Sequence, residues 1–224
     1  MTSYSTLRHA EERSDEVSHD FTSPCDSSGR SPQNDEESKL KRCAWCIGDG
    51  LYTRYHDEQW GVPTRERNVL FEFLVLESAQ AGLSWITVLR KRENYRRLYA
   101  NFDVETVARF GEAEIETMLK DPGIIRNRMK IEASVNNAKR FLEVEEEFGS
   151  FADYIWAFVD NKPIINDIET ISQIPPKNPL TTKITKDLKK RGFKFLGETI
   201  VYAYMQAIGM VDDHVNECFK KTRK

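Results

Sequence analysis

Two histidine–cysteine pairs stand far apart in this chain of 224 residues: Cys43 with His56, and His214 with Cys218. Two thiolates and two imidazoles are the donor set of a closed, four-coordinate zinc site, which leaves no open position for a reacting water. One ion shared by all four would clip the start of the folded part to its end across more than 150 residues. The spacing predicts that His214 and Cys218 lie one turn apart on a helix face. It sets Cys43 and His56 on either side of a loop around Gly48, Asp49 and Gly50. Cys43 and Cys46 also have zinc-knuckle spacing, so Cys46 competes with His56 for a place in the set. Ordinary core or surface residues would carry the same letters, but four donors at the two ends of one domain weigh against that.

Glu77 shares a helix face with Leu70, Phe73 and Leu74, which predicts burial of its carboxylate. A buried carboxylate needs a partner or a function; an ion pair, a cap contact and a catalytic role all fit the spacing. Trp45, Tyr52, Tyr55, Trp60 and Trp85 crowd the first half of the chain. Such a cluster serves equally as core or as a box for a flat heterocycle, a cationic one most favourably. Pro122, Gly123, Ile124, Ile125 and Arg126 read as a tight turn between two helices, with basic residues just after. Backbone N–H groups at such a turn can hold a phosphate, although many helix pairs turn at Pro-Gly with no ligand.

The elements that must position these residues are helical. Apolar periodicity predicts a helix through Leu70 and Glu77, ended by Gly82. Ser84 is an N-cap candidate for a second helix, Trp85 to Tyr99. Glu112 to Leu119 and Asn127 to Phe141 flank the Pro122-Gly123 turn. Phe151 to Val159 is a short aromatic helix, and residues 164–179 form a proline-punctuated loop. Lys183 to Lys190 and Gly197 to Ile208 complete the helices, Gly209 closes the last, and a final turn or short helix starts at Asp212 or Asp213. Strand-like alternation is almost absent, so the class is all-α.

Hydrophobic residues make up 39% of the chain, enough for a sizeable core. No run approaches the roughly 20 apolar residues of a membrane span, and no secretory signal or presequence is evident. Residues 1–40 are Ser-rich and acidic, read as a disordered tail; His9, His19 and Cys25 in it carry little weight as ligands. A helical domain spans 41–219, and 220–224 form a basic C-terminal tail. The net charge of −3 hides a split. Of 33 bases and 36 acids, four and nine lie in residues 1–40, which leaves the body with 29 and 27, a net of +2. Basic clusters at Arg90-Lys91-Arg92, Arg126 to Lys130 and Lys183 to Lys194 permit contact with phosphates, as would any solvated charged face.

Taken together, Cys43-Ala44-Trp45, Tyr55-His56-Asp57-Glu58-Gln59-Trp60-Gly61-Val62-Pro63, Glu77, Gln80-Ala81-Gly82-Leu83-Ser84-Trp85, Lys189-Lys190-Arg191-Gly192-Phe193-Lys194-Phe195 and Asp213-His214 resemble the DNA-3-methyladenine glycosylase I family. The resemblance runs from about Arg42 to Cys218. It implies a helix–hairpin–helix glycosylase fold, with the hairpin unit at about 112–141. It implies one structural zinc on Cys43, His56, His214 and Cys218, and leaves Cys46 outside the set. It assigns Trp45, Tyr52, Tyr55, Trp60, Glu77 and Trp85 to a base pocket, with Glu77 catalytic, and Pro122 to Arg126 to DNA contact.

The implied activity is hydrolysis of the N-glycosidic bond of 3-methyladenine in alkylated double-stranded DNA, with no strand cleavage. The implied setting is an intracellular monomer, cytoplasmic in a bacterium or nuclear in a eukaryote, with no membrane partner. Two other classes compete: a zinc-stapled reader of damaged DNA without catalysis, and a zinc-dependent hydrolase. Four protein ligands argue against the hydrolase.

Overall fold

Asp49 opens the first α-helix. Its carboxylate accepts from the N–H groups of Leu51 and Tyr52, two donors that a helix start leaves unpaired. The helix, α1, runs Gly50–Glu58. The structure, a computed structural model, describes residues 40–223. Most of the expected disordered tail, with His9, His19 and Cys25, lies outside the described residues.

Helix α2 (Arg67–Gln80) is the axis of the fold. Every residue from Leu70 to Ala79 is buried, so the helix is enclosed on all sides rather than amphipathic. Around it pack α3 (Trp85–Leu89), α7 (Arg128–Phe148), α8 (Phe151–Trp156) and α10 (Glu198–Ala207). The remaining helices are α4 (Arg92–Leu98), α5 (Val104–Ala108), α6 (Glu112–Lys120) and α9 (Pro179–Lys190). Phe71 meets Phe141 edge-on, and Phe141 stacks on Phe151 with centroids 4.0 Å apart. Each such fully buried side chain contributes about 1.5–3 kcal/mol of transfer free energy.

Helix ends follow local chemistry. Asp103, Asn127, Ser150 and Asn178 each cap a helix through a side-chain oxygen. Gly149, at φ 85°, ends α7, seven residues beyond the expected Phe141. The turn between α6 and α7 carries Pro122-Gly123, as expected, and gives a helix–turn–helix pair.

The sequence expectation fails in further places, beginning with Ser84, which makes no side-chain cap bond at the start of α3. The helix expected from Trp85 to Tyr99 is two, broken at Arg90-Lys91, because Arg92 turns inward to a buried carboxylate. The loop expected over 164–179 holds a short strand, Ile164–Ile165 (β1), and Pro179 is already the first residue of α9. A two-residue strand, Val211–Asp212 (β2), pairs parallel with β1, so the mostly helical fold carries a small ladder near its C-terminus. His214 and Cys218 do not share a helix face; both follow β2 in non-helical backbone. Two residues are too few to show the alternation that marks a strand.

Candidate functional site

Thr53 Oγ1 donates to Cys46 O, which ties α1 to the single 3₁₀ turn carrying Trp45. That turn and α1 set Trp45, Tyr52 and Tyr55 together, with Trp45–Tyr52 centroids 4.7 Å apart. Asp49 accepts from Arg90 Nη2 at 2.6 Å, which holds the start of α1 against the end of α3. The Tyr55 and Trp85 rings then lie 5.3 Å apart, their planes tilted by 48°. The α2–α3 connection turns at Gly82, where φ is +80°. The result is a cavity of about 360 Å³. Trp45, Tyr52, Tyr55, Trp60, Glu77 and Trp85, the six residues expected to form a pocket, all line it.

Glu77 is buried, and its Oε2 has no hydrogen-bond partner among the described residues. Desolvation alone pushes its carboxyl up to about 8. The indole Nε1 of Trp85 is likewise buried without a partner. A buried donor and a buried acceptor left unpaired in one aromatic cavity are costly unless a ligand completes them. Among the described residues, no lysine, arginine or aspartate lines the cavity.

Five further lining residues were not singled out from sequence: Gln80, Ile171, Ile174, Ala203 and Gln206. Gln80 lies three positions after Glu77 and was legible from helical spacing. The other four come from distant segments, and only the fold brings them in.

Beside the cavity lie the expected metal donors. One ligand atom from each of Cys43, His56 and Cys218 falls within 4.8 Å of the others, and all three residues are buried. This cluster can hold a metal ion. Cys46 is not in it; its thiol donates instead to Cys43 O. His56 sits on α1 rather than at a loop edge, since the helix already begins at Gly50. Its Nδ1 is 2.7 Å from Asp57 Oδ1, and its Nε2 is 3.4 Å from Cys218 Sγ.

His214 packs edge-on to His56 at 5.0 Å. Its Nδ1 is 2.9 Å from Asp212 Oδ1, while its Nε2 is buried with no partner. Both imidazoles thus have a carboxylate on Nδ1, the arrangement that orients Nε2 toward a metal. Cys218 is drawn down to about 4, by the hydrogen bond from Cys43 above all and then by His56. The same bond raises Cys43, so the pair favours one thiolate, the ligating form. The donor set and the orphaned Nε2 fit a metal.

The donor cluster and the cavity share walls. Trp45 touches His56 at 5.3 Å and Trp60 touches His214 at 4.6 Å, and both tryptophans line the cavity. Gly61 makes this closeness possible: at φ +74°, a Cβ there would stand 2.6 Å from the His214 ring.

The hairpin residues divide. Gly123 N–H is taken by Asp121 and Ile125 N–H by Tyr95 OH, and the Ile124 side chain is core. Pro122 and Arg126 are exposed. Of the nearby bases, Arg92 is buried and chelates Glu72, and Arg128 pairs with Glu112, Glu116 and Glu132. Lys130 donates to the carbonyls of Ala79 and Ala81 at the end of α2. Those basic clusters are therefore only partly available to phosphates. No helix among the described residues is long and apolar enough to cross a membrane.

A model of the methyladenine glycosylase family matches residues 45–221. The chain belongs to that family. Among its relatives, DNA-3-methyladenine glycosylase 1 of Escherichia coli is 48% identical over 179 residues, which covers 80% of this chain and 96% of the relative. A Haemophilus influenzae DNA-3-methyladenine glycosylase is 46% identical over 81% of this chain and 98% of its own. A methyladenine glycosylase structure from Staphylococcus aureus, described for its recognition of 3-methyladenine, superposes at TM-score 0.79. It is 37% identical over 83% of this chain and 98% of that one. The methyladenine glycosylase fold is thus shared across the described body.

Proposed function

We propose that residues 41–219 form a DNA-3-methyladenine glycosylase that hydrolyses the N-glycosidic bond of the lesion and leaves an abasic site. The observation that carries this reading is Glu77, buried in an aromatic cavity with its Oε2 unpartnered among the described residues. Methylation at N3 makes the nucleotide's adenine cationic and already a good leaving group, so no strong general acid is required. The duplex must release the nucleotide, at a cost of roughly a few kcal/mol. Tyr55 and Trp85 suit stacking on the flipped base, and a cation gains most from such faces. Glu77 accepts hydrogen bonds from the amino edge and favours positive charge there. Water completes the hydrolysis of the sugar cation.

The absence of a lysine from the cavity wall, among the described residues, supports a monofunctional enzyme with no Schiff-base step. The α6–turn–α7 hairpin suits duplex contact through Pro122, Arg126 and the N–H groups of Ile124 and Arg126, which are unbonded among the described residues. Cys43, His56, His214 and Cys218 would hold one zinc ion. When bound, zinc supplies a closed structural crosslink between the two ends of the domain. His56 and His214 then hold Trp45 and Trp60 in the cavity wall.

The test is chromatographic detection of free 3-methyladenine released from methylated duplex DNA. Binding to that DNA with no base released would favour the damaged-DNA reader instead.

A further inference from the structure

Gln206 stands on α10 and lines the cavity with Ala203. Its Nε2 donates to Asp213 Oδ2 at 2.8 Å. A carboxylate offers only acceptors, so the amide must turn its NH₂ toward Asp213 and its oxygen away. Asp213 is itself fixed: Tyr202 OH donates to Oδ2 at 2.8 Å and Asn166 Nδ2 to Oδ1 at 2.6 Å. The Gln206 backbone is held as well, since its carbonyl accepts from Gly61 N–H at 3.0 Å. The Nε2 bond to Asp213 is the side-chain hydrogen bond Gln206 makes among the described residues, which leaves Oε1 without one, and the residue is half-buried.

Two residues of the cavity wall thus carry acceptors with no partner among the described residues: Glu77, which when ionised only accepts, and Gln206 through Oε1. An exocyclic amine has two N–H donors and can satisfy both. A carbonyl at the same ring position brings an acceptor against acceptors, and a polar site rejects a misfit of that kind more strongly than an apolar one rejects size.

We propose that Gln206, locked by Asp213, is a specificity-determining residue. Its amide oxygen takes one proton of the amine at purine position 6 and so selects 6-amino over 6-oxo lesions. This rests on the glycosylase reading above.

The test uses DNA alkylated to carry both 3-methyladenine and 3-methylguanine, with each released base measured over time for the wild type and Gln206→Met. Loss of one hydrogen bond, from the amine of a cationic base, is expected to slow 3-methyladenine release roughly tenfold or more. Release of 3-methylguanine should stay constant or rise, so the ratio falls. An equal fall for both bases, or an unchanged ratio, would overturn the inference and leave the glycosylase reading intact. Release of neither base by the wild type would overturn both. Circular dichroism checks the fold; if Gln206→Met does not fold, Gln206→Ala carries the same comparison under the same criteria.

Discussion

Glu72 and Glu77 are both buried on α2, and among the described residues only Glu72 has cations: Arg92 grips its two oxygens at 2.8 and 2.7 Å. Burial raises the Glu72 carboxyl, but Arg92 and Arg96 outweigh that and hold it below its ordinary range. Glu77 has no such partner, and burial carries it up to about 8. One helix therefore holds a carboxylate fixed by cations and a carboxyl that burial alone governs.

That contrast sets a stability prediction. The Glu77 carboxyl titrates near 4.3 in an unfolded chain and about 8 in the fold. The folded state therefore binds the extra proton, and stability falls as pH rises from the first value to the second. Glu77→Gln removes this titration. In urea unfolding the variant should gain on the wild type between pH 5 and pH 8, by several kcal/mol at roughly 1.4 kcal/mol per pH unit. A pH-independent difference would show that Glu77 is paired in solution.

The same group sets the rate profile. A neutral Glu77 cannot favour a cationic base; an ionised one can. The kcat/KM on methylated DNA, which reports the free enzyme, should rise with pH and level off above about 8. Glu77→Gln should flatten that limb. A wild-type profile already flat from pH 6 to pH 9 would remove Glu77 from the role.

How much of this was legible in sequence differs by part. The aromatic wall was, because Trp45, Tyr52, Tyr55 and Trp60 lie close together and Glu77 and Trp85 flank one helix end. The caps were less so: Ser84, the expected N-cap, makes no side-chain cap bond, and its hydroxyl meets Thr87 Oγ1 instead. Ile171, Ile174 and Gln206 were not, since nothing local links them to Glu77. The break at Arg90-Lys91 was hidden because Arg92 reads as a surface base until Glu72 is seen beneath it. Donor type brought out Cys43, His56 and Cys218, which do come together, yet the helix face expected for His214 and Cys218 is absent, because both follow β2 in non-helical backbone.

Metal removal separates scaffold from chemistry. The four-donor reading predicts one zinc per chain by elemental analysis. Chelation should lower the melting temperature together with base release, because Trp45 and Trp60 lean on His56 and His214. His214→Gln should reproduce both effects in part. Loss of activity at unchanged melting temperature would instead point to a catalytic ion.

Duplex contact through the hairpin predicts a selective loss. Arg126 is exposed and has no ion-pair partner among the described residues. Arg126→Ala should weaken DNA binding and reduce its salt slope by roughly one, with free 3-methyladenine binding unchanged. A variant with an unaltered salt slope would move the phosphate contact elsewhere.

The most direct measurement is the identity and amount of base released from methylated duplex DNA by the wild type and by Glu77→Gln. The wild type should release free 3-methyladenine and leave an intact but abasic strand, and the variant should release roughly two orders of magnitude less, the scale of one positioned catalytic group. Equal release by a well-folded Glu77→Gln would contradict a catalytic role for Glu77.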